Sequence, residues 1–177
     1  MSWVKKKSLP SIETISYEGQ PCNTLPSLWN ALHHSYNSAA NCPVNLDILN
    51  DIPQCNAIEW LPFSKQEFRD AIAKCSASST PGPNHISWRH LKPIVADDKC
   101  LEKIVCIANA CLEHKTWPPQ FKTAISVIIP KPNKELYNSP KSFWPIVLLN
   151  TTGKLIEKVI STRLQFHMTT NGFLDPN

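Results

Sequence analysis

The hydrophobic pattern of this chain has a helical period along most of its length. Apolar residues recur every three or four positions in the first two thirds and again near the end, which is typical of amphipathic helices. Ser27 is the predicted N-cap of the first helix, and Ser64 with Glu67 forms the capping box of a later one. Helices are predicted over residues 26–36, 44–52, 62–76, 87–95, 99–114 and 151–168. Ile94 is predicted on the apolar face of the helix at 87–95, and in the last helix Leu164 is predicted to point inward and Arg163 to lie on another side.

The pattern changes after Trp117, where two short apolar runs replace the helical spacing. Residues 123–129 are rich in β-branched side chains and residues 144–149 form a second apolar run, so both are predicted strands. The segment between them holds residues that exclude regular structure and add positive charge, namely Pro130, Lys131, Pro132, Lys134, Pro140 and Lys141. The predicted fold class is α+β, mostly helical with one antiparallel β-hairpin that presents lysines to an anionic ligand.

A rigid turn is predicted ahead of the helix at residues 87–95, because Pro81 and Pro83 fix φ on both sides of Gly82. Two interpretations fit this turn. It is either a connector or a preshaped backbone against which a ligand or a strand lies. Further along, Asp97 and Asp98 lie where the next helix needs its N-cap, so we predict a capping role rather than a catalytic one.

Positive charge is concentrated in the last third of the chain. Residues 1–114 carry ten Lys or Arg against eleven Asp or Glu, whereas residues 115–167 carry eight against two. Such a basic region suits a nucleic-acid or nucleotide partner, and the alternative is a solvated lysine surface. We expect weak binding to nucleic acid, without sequence preference, through Lys122, Lys131, Lys134, Lys141 and Lys154.

Several function classes have little support in the sequence. The seven cysteines are irregularly spaced without a CxxC pair, and Met1–Pro10 is polar and basic with no apolar core of a signal peptide. We therefore predict reduced thiols and an intracellular protein, cytoplasmic or nuclear, with Met1–Gln20 as a loose solvated tail. No segment approaches the roughly 20 apolar residues of a membrane span. Cys111 and His114 are too few for a zinc site, so no metal site is predicted.

Three segments of the chain together resemble the reverse transcriptases of LINE-type (non-LTR) retrotransposons, especially those of fungal genomes. They are SSTPGPNHISWRHLK at 78–92, WPPQFKTAISVIIPKPNK at 117–134 and SPKSFWPIVLLNTTGKLIEKVISTRL at 139–164. The resemblance implies the fingers and the first part of the palm of a right-hand polymerase. Residues 61–177 would then be a partial reverse transcriptase domain, and residues 1–60 a helical or loose N-terminal extension.

The resemblance also assigns roles to residues. Lys131 matches the hairpin lysine that meets the incoming nucleotide triphosphate. Pro81, Gly82, Pro83 and Asn84 match a turn on the template side, with Asn84 in place of the usual aspartate. Trp144 stands where the family has an arginine. Since an indole has one neutral donor and no positive charge, nucleotide use should be impaired.

The resemblance implies that this chain does not polymerise alone. In the family, the aspartates that hold two metal ions follow the segment seen here, so magnesium is implied only for the complete enzyme, together with an RNA or DNA template, dNTP and the downstream palm. No catalytic residue is predicted. An alternative is a non-enzymatic nucleic-acid-binding or interaction relic of a decayed element. A metal or thiol enzyme built on the cysteines and histidines is a third possibility.

Overall fold

Six α-helices and two antiparallel hairpins make up most of the computed structural model, which describes residues 14–37, 42–51 and 60–174. The chain divides into two units. The hairpin unit comprises Met1–Ala57 and Val127–Ile146, and the helical unit comprises Ile58–Ser126 and Val147–Asn177. Mixed helix and sheet was predicted and is confirmed. Among the described residues there are two hairpins instead of the one predicted.

The helical unit contains five of the helices. They are α2 (Lys65–Ala73), α3 (Trp88–Ala96), α4 (Asp98–Glu113), α5 (Pro119–Lys122) and α6 (Thr151–Thr170). The predicted capping box of α2 is confirmed, because the Ser64 and Glu67 side chains each accept from the other residue's main-chain N–H. The predicted N-cap of α4 is confirmed as well, with Asp97 accepting from the Cys100 N–H at 2.8 Å.

The core of this unit lies between α2, α3, α4 and α6. Phe68, Leu101, Leu155 and Ile156 are fully buried there, and each contributes roughly 1.5–3 kcal/mol by leaving water. The apolar stripes predicted for α2, α3, α4 and α6 therefore face this core, with two exceptions. Ile94 and Leu164 were predicted to point inward but are exposed. Leu164 is exposed because α6 has passed the end of the core at this point. The residue before it, Arg163, points inward instead, and its side chain is 17% exposed.

The hairpin unit begins with a small hairpin that the sequence analysis missed. β1 (Ser16–Tyr17) pairs with β2 (Gln20–Pro21), with Ser16 opposite Pro21. Glu18 and Gly19 both have positive φ, as a tight turn between twisted strands requires. The loose tail predicted for the first 20 residues is thus wrong for residues 14–20, while residues 1–13 lie outside the described residues.

Two helix predictions in this unit need correction. α1 spans Leu25–Tyr36, and its N-cap is Thr24, with Ser27 as the third helical residue that completes the capping box. The Ser27 prediction was wrong because Pro26 is tolerated in the first turn of a helix. In place of the helix predicted at 44–52, the described residues contain a 3-10 turn at Asp47–Leu49.

The larger hairpin pairs β3 (Ala124–Pro130) with β4 (Phe143–Leu149), close to the predicted bounds. Ile128 and Phe143 lie in the small apolar cluster of the hairpin unit with Ile15, Leu28 and Tyr137. Because side chains alternate along a strand, Val127, Ile129, Trp144 and Ile146 lie on the opposite face, where all four are exposed.

Candidate nucleic-acid-binding surfaces

The lysine-rich connection of the larger hairpin, residues 131–142, is called the hairpin loop below. Its two ends are joined where the Lys131 N–H donates to the Ser142 carbonyl at 2.9 Å. The Tyr137 hydroxyl donates back to the Lys131 carbonyl at 2.6 Å, and the Ser142 hydroxyl donates to the Leu136 carbonyl at 3.0 Å. Tyr137 itself is buried edge-on against Phe143. The hairpin loop therefore has a backbone fixed by its own hydrogen bonds.

Contacts from outside the hairpin loop fix it further. The Tyr36 hydroxyl, at the end of α1, lies 2.7 Å from the Pro140 carbonyl and 3.1 Å from the Phe143 carbonyl, on either side of Lys141. Burial raises the pKa of Tyr36, so the hydroxyl stays protonated and able to donate. The Ser16 N–H donates to the Asn138 carbonyl at 2.7 Å. Sequence analysis missed both contacts, since neither follows a local pattern.

The predicted lysines fall into two groups. Lys131, Lys134 and Lys141 are on the hairpin loop, with Lys134 and Lys141 exposed and Lys131 partly so. Lys122, at the end of α5, and Lys154, near the start of α6, belong to the helical unit. In the part of the chain that the structure describes, these five lysines form no ion pair, so their charges are available to an anionic ligand.

The turn at Pro81–Asn84 packs against the end of β4. Gly82 is buried, and a Cβ at this position would overlap the carbonyl of Leu149. The Thr151 hydroxyl, in the first turn of α6, donates to the Ile86 carbonyl. The turn is thus more than a connector, because the end of a strand lies against it.

This packing limits how the turn meets a template. The Cα of Gly82 is covered by the chain itself, while Asn84 is exposed and Pro81 and Pro83 are partly so. The Asn84 side-chain oxygen accepts from the Ile86 N–H at 3.2 Å. An aspartate would offer the same acceptor, so the departure at Asn84 preserves this turn. A template role for these four residues stays a prediction.

Asp97 and Asp98 are engaged in the structure of the helical unit. Hydrogen bonding to the Cys100 N–H lowers the pKa of Asp97. Asp98 pairs with Lys65 at 2.7 Å and with Arg69 at 2.6 Å, and the hydrogen bond from Lys65 is the main reason that its pKa is lowered. The hydrogen bond of Asp97 and the ion pairs of Asp98 therefore favour a structural role for these two residues over a catalytic one.

Arg163 forms an ion pair that sequence analysis missed by placing this residue on an outer side of α6. Its guanidinium donates to both carboxylate oxygens of Glu67 and to the carbonyls of Leu61 and Pro62, and it lies 4.5 Å from the ring centre of Phe63. The hydrogen bonds from Arg163 lower the pKa of Glu67 from 4.5 to about 2. Arg163 therefore ties α6 to the segment that precedes α2.

Across residues 14–37, 42–51 and 60–174, no three His, Cys, Asp or Glu side chains are grouped as the ligands of a metal ion would be. Within the same ranges, every helix is too short or too polar to cross a membrane.

The relatives found by comparison with known proteins are all proteins of transposable elements. No family model matches the chain. It is 28% identical over 125 residues to the retrovirus-related Pol polyprotein from type-1 retrotransposable element R1 of Bradysia coprophila, covering 69% of this chain and 12% of that protein. It is 29% identical over 137 residues to the probable RNA-directed DNA polymerase from transposon BS of Drosophila melanogaster, covering 77% of this chain and 15% of the relative.

A third relative is the probable RNA-directed DNA polymerase from transposon X-element of Drosophila melanogaster, 30% identical over 111 residues, or 63% of this chain and 12% of the relative. The homologues of this chain are thus RNA-directed DNA polymerases of non-LTR retrotransposons, which confirms the resemblance carried by the three motifs. The chain spans 12–15% of the length of the three relatives named here. A fungal source stays a prediction.

Proposed function

We propose that this chain supplies the fingers and the first part of the palm of a non-LTR retrotransposon RNA-directed DNA polymerase, and that it binds nucleic acid without sequence preference. The hairpin loop carries this proposal. Its three lysines have no acidic partner among the described residues, and its backbone is already ordered. A preordered loop loses little conformational entropy on binding, so its ammonium groups contribute more of their attraction to affinity.

Lys131 is proposed as the contact for the triphosphate of an incoming nucleotide. A lysine ammonium is a compact charge on a flexible stem, which suits a phosphate group that arrives and leaves. Trp144, 46% exposed on β4, adds no charge to this hairpin. An arginine would hold two phosphate oxygens in parallel, so nucleotide binding is proposed to be weaker here than in a chain with arginine at this position.

We do not expect these 177 residues to polymerise DNA alone. Nucleotidyl transfer needs carboxylates that are free to hold metal ions. Asp97 caps α4, Asp98 pairs with Lys65 and Arg69, and Glu67 pairs with Arg163. These acids stabilise the fold, and template, dNTP and magnesium belong to the proposed parent enzyme.

Fluorescence anisotropy of a labelled oligonucleotide tests the nucleic-acid binding. We expect affinity to fall steeply as salt rises from about 50 to 200 mM, with similar values for different sequences. Replacing Lys131, Lys134 and Lys141 by Gln should lower the salt slope by about 2, because each lost phosphate contact removes roughly 0.7–0.9.

The matched control replaces Lys99, Lys103 and Lys115 by Gln. These three lysines are also exposed but lie on or just after α4. Salt-independent binding, or an equal loss in both triple variants, would overturn the proposal.

A second candidate is a non-enzymatic interaction module, favoured by the exposed apolar face of the hairpin at Val127, Ile129, Trp144 and Ile146. Contiguous apolar surface of this kind marks contacts with protein partners or self-association. Sedimentation at several protein concentrations tests it. Association that disappears in Trp144→Glu, combined with absent oligonucleotide binding, would favour this candidate over the first.

A further inference from the structure

A groove of about 480 Å³ on the helical unit brings together lysines from separate parts of the chain. Lys74 follows the last turn of α2, and Lys154 and Lys158 lie one turn apart on α6. The remaining wall contains three serines: Ser76, Ser79 and Ser161. Of these residues, Lys154 alone was predicted to bind nucleic acid.

The groove lysines differ in their partners from three other cations of the helical unit. Lys65, Arg69 and Arg163 are each paired with a carboxylate. Lys74, Lys154 and Lys158 form no ion pair in the portion of the chain that the structure describes. Glu157 is the acidic residue of the groove lining and is exposed, so positive charge predominates.

The fold gains little from placing Lys154 and Lys158 where they are. Like charges four residues apart on a helix repel each other. Lys154 is also near the N-terminus of α6, the end at which the helix dipole disfavours a cation. Lys74 is different, since a cation is favourable at the C-terminal end of α2. A bound anion would offset the repulsion on α6.

The charge of the lysines also affects the pKa of Cys75, which lies in the lining of the groove. Burial raises the pKa of its thiol, and the positive charges of Lys158 and Lys92 act in the opposite direction. Lys92, on α3, thus adds a fourth cation close to the same groove. The positive field here comes from α2, α3 and α6 together.

We infer that this groove binds the phosphodiester backbone of a nucleic-acid strand. The inference rests on the proposed function for its choice of partner, but it places the contact on a different unit from the hairpin loop. Three ammonium groups neutralise phosphates, and serine hydroxyls donate to phosphate oxygens. None of these groups reads base edges in a fixed geometry, so binding is expected to be independent of sequence.

The test compares two double variants in the full chain. Lys154→Gln with Lys158→Gln removes the pair on α6, and Lys99→Gln with Lys103→Gln removes an exposed pair with the same spacing on α4. Binding of a labelled oligothymidylate of about 20 nucleotides is measured over a salt series. We expect the α6 variant to bind about tenfold more weakly with a salt slope lower by roughly 1–2, and the α4 variant to change less than about twofold.

Circular dichroism establishes that both double variants are folded. If the α6 and α4 variants bind equally, the groove inference fails, and a selective loss in the hairpin-loop triple variant would leave the proposed function standing. If no lysine variant weakens binding, both fail. If the α6 variant loses the same factor of affinity for dATP as for the oligothymidylate, the inference is also overturned. Equal losses would indicate a site for a single phosphate group instead of a groove for a strand.

Discussion

The helical unit and the hairpin unit are stabilised in different ways. In the helical unit, side chains such as Phe68, Leu101 and Leu155 are removed from water between four helices. In the hairpin unit, the apolar cluster around Ile15 and Phe143 is small, and the hairpin loop is held by hydrogen bonds to main-chain carbonyls. Packing defines the first unit, and directional polar contacts define the second.

Because of this difference, the stability of the fold and the binding of a ligand depend on different residues. The loop lysines lie on a backbone fixed by tyrosine and serine hydroxyls, so their charges are not needed to hold the structure. In the helical unit some cations pair with acids and others line the groove. Changes in the helical unit should therefore affect global stability, whereas changes at the hairpin loop should act locally.

The largest effect is expected at Gly82, where the turn meets the end of β4. In Gly82→Ala the added methyl overlaps the Leu149 carbonyl, and backbone on both sides has to shift. We expect a loss of about 3 kcal/mol in the free energy of unfolding, at the upper end for overpacking. Urea unfolding followed by circular dichroism measures it.

The control for this substitution is Thr80→Ala, two residues away and exposed. It should change the free energy of unfolding by less than about 0.5 kcal/mol. If Gly82→Ala unfolds at the same urea concentration as the parent chain, the turn does not depend on close contact with β4.

The next largest effect concerns the Glu67–Arg163 pair. Arg163→Met removes the donors that hold Glu67 and the Leu61 and Pro62 carbonyls, so we expect a loss of about 2 kcal/mol. Adding Glu67→Gln should cost less than the sum of the two single changes, because both act on one contact. Additive losses in this cycle would show that the pair contributes nothing.

The same pair predicts a pH dependence. The pKa of Glu67 is about 2 in the folded protein against a usual value of 4.5. A lowered carboxyl pKa stabilises the folded state above pH 4.5, and this stabilisation is lost as pH falls toward 2. Allowing for partial exposure, we expect the loss to reach about 2 kcal/mol. In Arg163→Met the corresponding decline should be much smaller.

Local signals explain which parts of the fold could be predicted. The capping box at Ser64, the cap at Asp97 and the apolar spacing of α6 lie within a few residues of the elements that they define. Strands of two residues have no periodicity to detect, and the β1–β2 hairpin had only Glu18 and Gly19 at its turn as a signal.

The candidate site was predictable in its composition but not in its arrangement. The sequence identified the lysines, whereas their division between two units depends on contacts between distant residues. Tyr36 lies 104 residues from Pro140, and Glu67 lies 96 residues from Arg163. Neither contact leaves a local pattern, since tyrosines and charged residues serve many roles.

A smaller, local effect is expected for Tyr36→Phe. The substitution keeps the ring but removes the hydroxyl beside the Pro140 and Phe143 carbonyls, at a cost of about 1 kcal/mol. Opening of the hairpin loop should become about fivefold more frequent, and trypsin cleavage after Lys141 should accelerate by the same factor. Limited proteolysis with mass spectrometry measures that rate.

Two controls belong to this experiment. Tyr17→Phe removes a hydroxyl that lies beside the Glu18 carboxylate at the surface, and it should leave cleavage after Lys141 unchanged. Cleavage after Lys103, in α4, should be the same in all three proteins. Accelerated cleavage at both lysines of Tyr36→Phe would mean that the hydroxyl stabilises the whole chain, and the contrast between the units would be lost.

The smallest effect is expected at Trp144, whose ring is exposed beside Val127 and Ile129 on one face of the hairpin. In Trp144→Arg the aliphatic stem can lie on this apolar surface while the guanidinium reaches water and phosphate. An exposed charge contributes little in free energy, so dATP affinity should rise about threefold.

Trp144→Leu, measured by the same titration, removes the ring without adding charge and should show no gain. If Arg and Leu give the same affinity, position 144 does not contact the nucleotide. A gain that persists unchanged when Lys131 is replaced by Gln would place that contact away from Lys131.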